Sequence, residues 1–132
     1  MRPNQLNTNF LKSYRRYKML DMDFNCWGGV VMYFTPDHKQ KKLWFTQPRM
    51  NTWLKNKCSQ VRKLEPNTII CIYRNTDNEL MHSMVYLGNN KVWHKLGAGI
   101  AEVTTLEKVL KEYAFDIDEI PTNKLRYFRF NK

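Results

Sequence analysis

One cysteine and two histidines are the residues of this sequence whose types and order could do covalent chemistry. Cys26 comes early in the chain, and His82 and His94 follow, twelve residues apart. Between the histidines, alternating apolar residues surround a Gly-Asn-Asn turn, which predicts a β-hairpin. An imidazole that a sheet carries to a thiol can draw off the thiol proton, and a third polar group can hold that imidazole in its working tautomer. We therefore predict that His82 is the base for Cys26 and that His94 orients His82.

The length of the hairpin turn decides whether the two histidines can cooperate. Side chains alternate between the faces of a sheet, so a two-residue turn would put the histidines on opposite faces. A three-residue turn over residues 88–90 pairs Met84 with His94 instead. It places His94 diagonally across from His82, with their Cα atoms about 7–8 Å apart. The catalytic interpretation therefore predicts the three-residue turn, with both histidines on one face and facing Cys26.

The three residues and their surroundings resemble a known family, the NlpC-type papain-like cysteine peptidases and amidases that cut bacterial cell-wall peptides. That family places a cysteine at the start of a helix, then a strand reading roughly His-x-x-x-Tyr-Leu-Gly, then a strand that ends in histidine. Cys26, His82 and His94 occupy these three places. The resemblance runs from about Tyr14 to about Phe130. It implies an α+β, papain-like fold in which N-terminal helices pack on a mainly antiparallel sheet, and a thiol hydrolase that needs no cofactor.

The cysteine motif departs from the common family form, Asp-Cys-Ser-Gly. This chain has Asn25-Cys26-Trp27-Gly28 at that place. The departure keeps the thiol and the following glycine but changes the walls around them. It therefore bears on the substrate more than on the chemistry.

Three aromatic residues complete the site that the resemblance implies. Family members with a tyrosine about a dozen residues before the cysteine use it to bind the oxyanion. Tyr14 stands at that interval, with Tyr17 as the alternative. Trp27 and Trp93 each adjoin a proposed catalytic residue, so we predict that one or both wall the substrate cleft.

Length, cysteine content and charge set bounds on the class of protein. A chain of 132 residues with 42% apolar residues is predicted to form one domain, over 1–132, with its own core. The three cysteines, Cys26, Cys58 and Cys71, show no paired spacing, which predicts free thiols and folding in a reducing compartment. The net charge of +10 favours acidic polymers such as cell wall, nucleic acid or anionic lipid surfaces.

The sequence predicts neither a secretory signal nor a membrane span. The N-terminal stretch is polar, which predicts no signal peptide, and no apolar run approaches the length of a membrane-spanning helix. We therefore expect synthesis in the cytoplasm and, for work elsewhere, delivery to another compartment or cell. Delivery machinery and a cognate inhibitor are the partners that such a protein would have.

Secondary structure was predicted from periodicity, propensity and capping signals. Helices are predicted over 7–20, 49–64 and 104–113, and strands over 68–74, 81–87, 91–95, 100–103 and 124–130. Residues 26–34 are ambiguous, because Val30 to Phe34 favour a strand and Gly28-Gly29 disfavour a helix, whereas the family resemblance implies a helix. We follow the resemblance. A helix start would also lower the pKa of the Cys26 thiol through its partial positive charge.

The favoured function is amide-bond cleavage in peptidoglycan peptides by a compact bacterial toxin or effector, whose charge helps it reach an acidic wall. The alternative within the fold is an effector protease, deamidase or acyltransferase that acts on a host protein. Outside enzymes, a basic protein with many aromatics could stack single-stranded nucleic acid, although no nucleic-acid motif is present. A zinc site from Cys26, His38, His82 and His94 is conceivable by ligand type, but no local ligand pair supports it and we predict no metal.

Overall fold

The computed structural model describes residues 24–35, 44–95 and 101–131. Within these ranges the chain forms three helices and six strands, an α+β arrangement as predicted. In chain order they are α1 (Cys26–Phe34), α2 (Gln47–Lys57), β1 (Cys58–Val61), β2 (Ile69–Tyr73), β3 (Leu80–Gly88), β4 (Lys91–Lys95), β5 (Ala101–Thr105), α3 (Leu106–Glu112) and β6 (Lys124–Phe130). The helix predicted over 7–20, with Tyr14 and Tyr17, lies outside the described residues, as does His38.

The six strands form one antiparallel sheet in the order β1-β6-β2-β3-β4-β5. Neighbouring strands from β2 to β5 are also consecutive in the chain, whereas β6 inserts between β1 and β2. β3 and β4 therefore lie towards one side of the sheet, with β5 as the edge strand beside them. Three adjacent strands of this side carry His82, His94 and Glu102.

Helices cover both faces of the sheet. On one face, α1 and α2 bury Val31, Met32 and Leu54 against sheet residues such as Val85 and Trp93. On the opposite face, α3 contributes Val109 to a second cluster with four sheet residues, Ile70, Ile72, Met84 and Val92. The strands that both clusters share carry nearly continuous apolar runs, as expected for a sheet that is buried on both faces.

Helix α1 forms although its propensity favoured a strand, because its start is well capped. The Asn25 side chain accepts from the Gly28 N–H at 2.9 Å. The same amide accepts from the Phe45 N–H at 3.2 Å and donates to the Phe45 carbonyl at 2.7 Å. An aspartate carboxylate could cap the helix but could not make the donated bond. Asn25 thus positions Cys26 at the helix start while it binds the segment before α2.

Glycines disfavour a helix by propensity, but packing requires one of the two glycines of α1, Gly29. A Cβ atom on Gly29 would lie 2.8 Å from Cη2 of Trp93 and 3.2 Å from the ring of Phe24. Only glycine therefore lets the helix approach the sheet this closely. The helix predicted here from the resemblance is confirmed, and the strand that local propensity favoured is wrong.

The helix predicted over 49–64 is too long. Thr46 caps its start by accepting from the Arg49 N–H, and the helix ends at Lys57. The chain then turns directly into β1, which pairs with β6 from Cys58 opposite Phe130 onwards. The sequence analysis missed this strand because its partner lies some seventy residues away, so no local signal identifies it. The remaining predicted strands are confirmed to within two residues.

None of the helices in the described ranges is long and apolar enough to cross a membrane.

Candidate active site

The β3–β4 hairpin that carries both histidines turns in two residues. Asn89 and Asn90 have φ angles of 48° and 63°, and positive φ at both central residues is what a type I′ turn requires. Asparagine tolerates this left-handed conformation better than most residues. The predicted three-residue turn is therefore wrong.

A β-bulge restores the register that the two-residue turn would have lost. Next to the turn Gly88 pairs with Lys91, whereas beyond a register shift Val85 pairs with Trp93. The shift leaves one extra residue in β3, which displaces the pairing by one position. The histidines consequently lie on the same face of the sheet, which was the consequence predicted from a different turn.

The two imidazoles are in direct contact. Nε2 of His82 lies 3.0 Å from Nδ1 of His94, and the ring planes are nearly perpendicular, at 87°. Both side chains are fully buried. On the far side of His94, its Nε2 lies 3.1 Å from Oε1 of Glu102. The register of β4 and β5 places Glu102 directly opposite His94.

His82 presents one ring nitrogen that its neighbours do not use. Its Nδ1 is buried and has no hydrogen-bond partner among the described residues. The ring of Tyr113 stacks on the imidazole, with centroids 4.1 Å apart and 13° between the planes. Burial, and to a smaller extent His94, holds the pKa of His82 well below its ordinary value of 6.5. His82 is therefore neutral at physiological pH, with a lone pair that can accept a proton.

The Cys26 thiol is the first residue of α1 and is buried. Burial raises the pKa of the thiol to about 11, which outweighs the lowering by the backbone N–H groups of Ser83, Trp27 and Cys26 itself and by the Lys95 charge. The expectation that the helix start leaves this thiol more acidic than a free one is therefore wrong. The resting pair is a neutral thiol and a neutral imidazole.

Cys26 and the histidines approach one another from different faces. Helix α1 packs on the face that carries Val85 and Trp93, whereas His82 stacks under Tyr113 on the opposite face. Cys26 lies beside the backbone N–H of Ser83, the residue after His82. The thiol thus lies beside the backbone of β3, at the residue that follows His82. The two histidines share one face of the sheet, as predicted. The predicted approach of Cys26 from that same face is wrong, because α1 packs on the opposite face.

The predicted substrate-contacting residues have different environments. Trp27 is half-buried, and its indole N–H is buried without a hydrogen-bond partner among the described residues. Trp93 is a core residue that packs on Phe24, Tyr33 and Gly29. The structure gives Trp93 a packing role, and its predicted contact with substrate stays a prediction.

Two residues that contact the histidine pair were not predicted from the sequence. Glu102 binds His94, and Tyr113 covers His82. The position of Glu102 follows from the register between β4 and β5, and that of Tyr113 follows from the path of α3 over the sheet. Neither carries a local motif, and only the register between the predicted strands β4 and β5 could have indicated Glu102.

The other two cysteines lie in the core. Cys58 and Cys71 are buried free thiols, and burial raises the pKa of each to about 12. Cys71 contacts the Ser83 hydroxyl at 3.3 Å. Among the described residues no group of three or more histidine, cysteine or acidic side chains is placed to hold a metal ion.

The sequence matches no protein-family model, and no curated protein matches it with significant similarity.

Proposed function

We propose that the protein is a papain-like cysteine hydrolase of the NlpC type that cleaves amide bonds. The observation that carries the proposal is the contact of His82 Nε2 with His94 Nδ1, which leaves Nδ1 of His82 buried and without a hydrogen-bond partner in the part of the chain that the structure describes. A buried nitrogen without a partner costs about 1–3 kcal/mol, which is acceptable at a site where a substrate or a thiol proton must be received. Cys26 at the start of α1, next to β3, supplies that thiol.

In the proposed reaction, Nδ1 of His82 takes the Cys26 proton as the sulfur attacks the amide carbonyl. The carbonyl oxygen becomes an oxyanion that the Cys26 backbone N–H stabilises, with the Tyr14 hydroxyl as the second donor. The imidazolium of His82 then gives its proton to the leaving amine as the C–N bond breaks. Water, deprotonated by His82, attacks the thioester and releases the acid and the Cys26 thiol.

The neutral resting state fits a base that acts during attack. Desolvation disfavours both the thiolate and the imidazolium when each stands alone. Proton transfer from the Cys26 thiol to the His82 imidazole creates the thiolate and the imidazolium together, so each charge offsets the desolvation cost of the other. Buried Cys26 and His82 thus favour transfer that is coupled to attack on a bound carbonyl.

Peptidoglycan peptides are the substrate class that we propose, with the protein acting as a toxin or effector. The net charge of +10 favours an acidic wall polymer, and the resemblance is to hydrolases that cut cell-wall peptides. A host protein is the alternative substrate, and cleavage, deamidation or acyl transfer is then the reaction.

Incubation with purified peptidoglycan, followed by mass spectrometry of the released fragments, tests the proposal. New amino and carboxyl ends in equal amounts are expected from the wild-type protein and not from Cys26→Ala. Cys58→Ala is the matched control, because it also removes a buried thiol but lies on β1. Fragments that Cys26→Ala releases at the wild-type rate would exclude Cys26 as the nucleophile.

Salt dependence separates the enzyme from a nucleic-acid-binding protein. Phosphate contacts release counterions, so binding to single-stranded nucleic acid would weaken steeply as salt rises. Tight, salt-sensitive binding that Cys26→Ala and His82→Ala leave unchanged, together with no release of fragments, would favour the binding protein over the hydrolase.

A further inference from the structure

A carboxylate stands at the far end of the histidine pair. Glu102 Oε1 lies 3.1 Å from Nε2 of His94, and Nδ1 of His94 lies 3.0 Å from Nε2 of His82. The three side chains belong to β5, β4 and β3, which are neighbours in the sheet. They form one row of contacts that ends at Nδ1 of His82, which has no partner within residues 24–35, 44–95 and 101–131.

The carboxylate at the end of the row fixes the direction of every hydrogen bond in it. A carboxylate can only accept, so Nε2 of His94 carries the proton. A neutral imidazole has one N–H, so Nδ1 of His94 is a lone pair and accepts from Nε2–H of His82. His82 is then left with its lone pair at Nδ1. Without an acceptor-only group at the far end, both tautomers of the pair would be satisfied equally well.

We propose that Glu102 is a positioning residue that sets the tautomers of His94 and His82 and thereby makes Nδ1 of His82 the base. The catalytic meaning of this inference rests on the proposed function, whereas the tautomers themselves do not. Among the described neighbours of the row, Tyr113 contacts the face of the His82 ring and not a ring nitrogen, so it does not set the tautomers.

The exposure of Glu102 suits this task. Its side chain is 31% exposed, whereas His94 is fully buried. Partial hydration lowers the desolvation cost of holding an acceptor-only group beside a buried imidazole. The carboxylate also favours the positive charge that forms when His82 accepts the thiol proton, since the charges interact through His94 in a poorly hydrated interior.

Glu102→Gln is the informative variant because glutamine keeps the shape of the side chain but can also donate, so it no longer fixes the direction of the hydrogen bonds. A glutamine amide can donate to Nε2 of His94. The proton of His94 then lies on Nδ1 and is donated to Nε2 of His82. His82 in turn carries its own proton on Nδ1. Glu107→Gln is the matched control, since Glu107 is an exposed carboxylate on α3 and the charge change is the same. Glu102→Asp keeps an acceptor-only group and should recover part of any loss.

Nitrogen-15 NMR of the histidine rings reads the tautomers directly, without turnover. In the wild-type protein Nδ1 of His82 should be unprotonated, and in Glu102→Gln a measurable fraction should carry the proton there. With an active substrate, kcat should fall at least tenfold in Glu102→Gln with little change in KM, and Glu107→Gln should leave both unchanged.

The outcomes distinguish this inference from the proposed function. A wild-type protein with the proton on Nδ1 of His82 overturns the inference without any variant, so misfolding of Glu102→Gln cannot rescue it. Wild-type tautomers together with wild-type kcat in folded Glu102→Gln also overturn it. If no substrate is cleaved but the tautomers shift as expected, the proposed function fails while the role of Glu102 stands.

Discussion

The ring of Tyr113 lies flat on the imidazole of His82, with ring centroids 4.1 Å apart and 13° between the planes. Tyr113 follows the last residue of α3, and its carbonyl accepts a hydrogen bond from the Thr122 hydroxyl. The end of α3 is thereby fixed to the segment that leads into β6. The stacked ring sets the plane of the imidazole, and His94 sets its rotation within that plane. His94 on β4 and Tyr113 at the end of α3 thus orient the His82 imidazole together.

Tyr113→Ala should reduce turnover about tenfold or more, because the imidazole loses the surface that holds its plane and about 0.5–1.5 kcal/mol of ring contact. Tyr113→Phe should retain most of the activity, since the ring rather than the hydroxyl contacts His82. Steady-state kinetics of the two variants checks this. Equal losses in both would show that the hydroxyl, and not the stacked ring, is what matters.

Cys26→Ala should lose all activity and keep the fold, because a thiol at the start of a helix contributes little to the core. Cys71→Ala should keep the chemistry but lower stability by about 1–2 kcal/mol, since Cys71 is fully buried and contacts Ser83. Activity measurements and thermal unfolding of both variants give the comparison. A Cys26→Ala protein that is active, or a Cys71→Ala protein that is folded but inactive, would reverse the roles.

Alkylation by iodoacetamide should be slow at neutral pH and rise towards pH 11, because only the thiolate reacts and burial raises the pKa of Cys26 to about 11. Cys26 should still react before Cys58 and Cys71, whose pKa values are raised further, to about 12. Peptide mass spectrometry after timed alkylation identifies the modified residue. Fast alkylation of Cys26 at pH 7 would contradict the neutral resting thiol.

Substitutions of His82 and of His94 should have different effects in the same alkylation assay. His82→Ala should slow alkylation of Cys26 as well as turnover, because it removes the base that takes the thiol proton as the sulfur attacks. His94→Ala should lower turnover but leave Cys26 alkylatable. Asn or Gln at position 94 should retain more activity than Ala, because an amide oxygen can still accept from the imidazole N–H. Alkylation that is unaffected by His82→Ala would remove His82 from the role of base.

The free energy of unfolding should decrease as the pH falls below 6.5 towards 5. His82 stays neutral in the folded state because burial lowers its pKa, whereas in the unfolded state it takes up a proton near its ordinary pKa of 6.5. The unfolded state then binds more protons, so acid favours it, at a slope of at most about 1.4 kcal/mol per pH unit for one group. Urea unfolding at pH 7.5, 6.5 and 5.5 measures this. His82→Gln should show a flatter dependence, and an unchanged slope would assign the effect to other groups.

Gly29→Ala should destabilise the protein by about 1–3 kcal/mol, because the added methyl group would overlap the Trp93 ring, 2.8 Å away. The effect should be smaller in a Trp93→Phe background, which lacks the indole atoms that Cβ would meet. Denaturant unfolding of both single variants and the double variant gives the coupling between the two sites. Additive effects would mean that the helix moves away from the sheet at no cost.

Local sequence patterns were sufficient for the sheet strands between residues 69 and 95 and for the order of the reactive residues. Alternation of apolar residues and the Asn-rich turns give strands whose partners are close in the chain, so short-range signals decide them. The placement of His82 and His94 on one face also came from the sequence, because a hairpin can hold two histidines twelve residues apart on one face.

The tertiary structure decided what depends on distant partners. β1 exists because β6 pairs with it, and the helix at Cys26 forms against strand propensity because Asn25 caps it and Gly29 fits under Trp93. A bulge in β3, and not the turn, sets the register of the histidines. Burial reverses the pKa direction that the helix start implied for Cys26, because desolvation depends on every layer packed around the thiol.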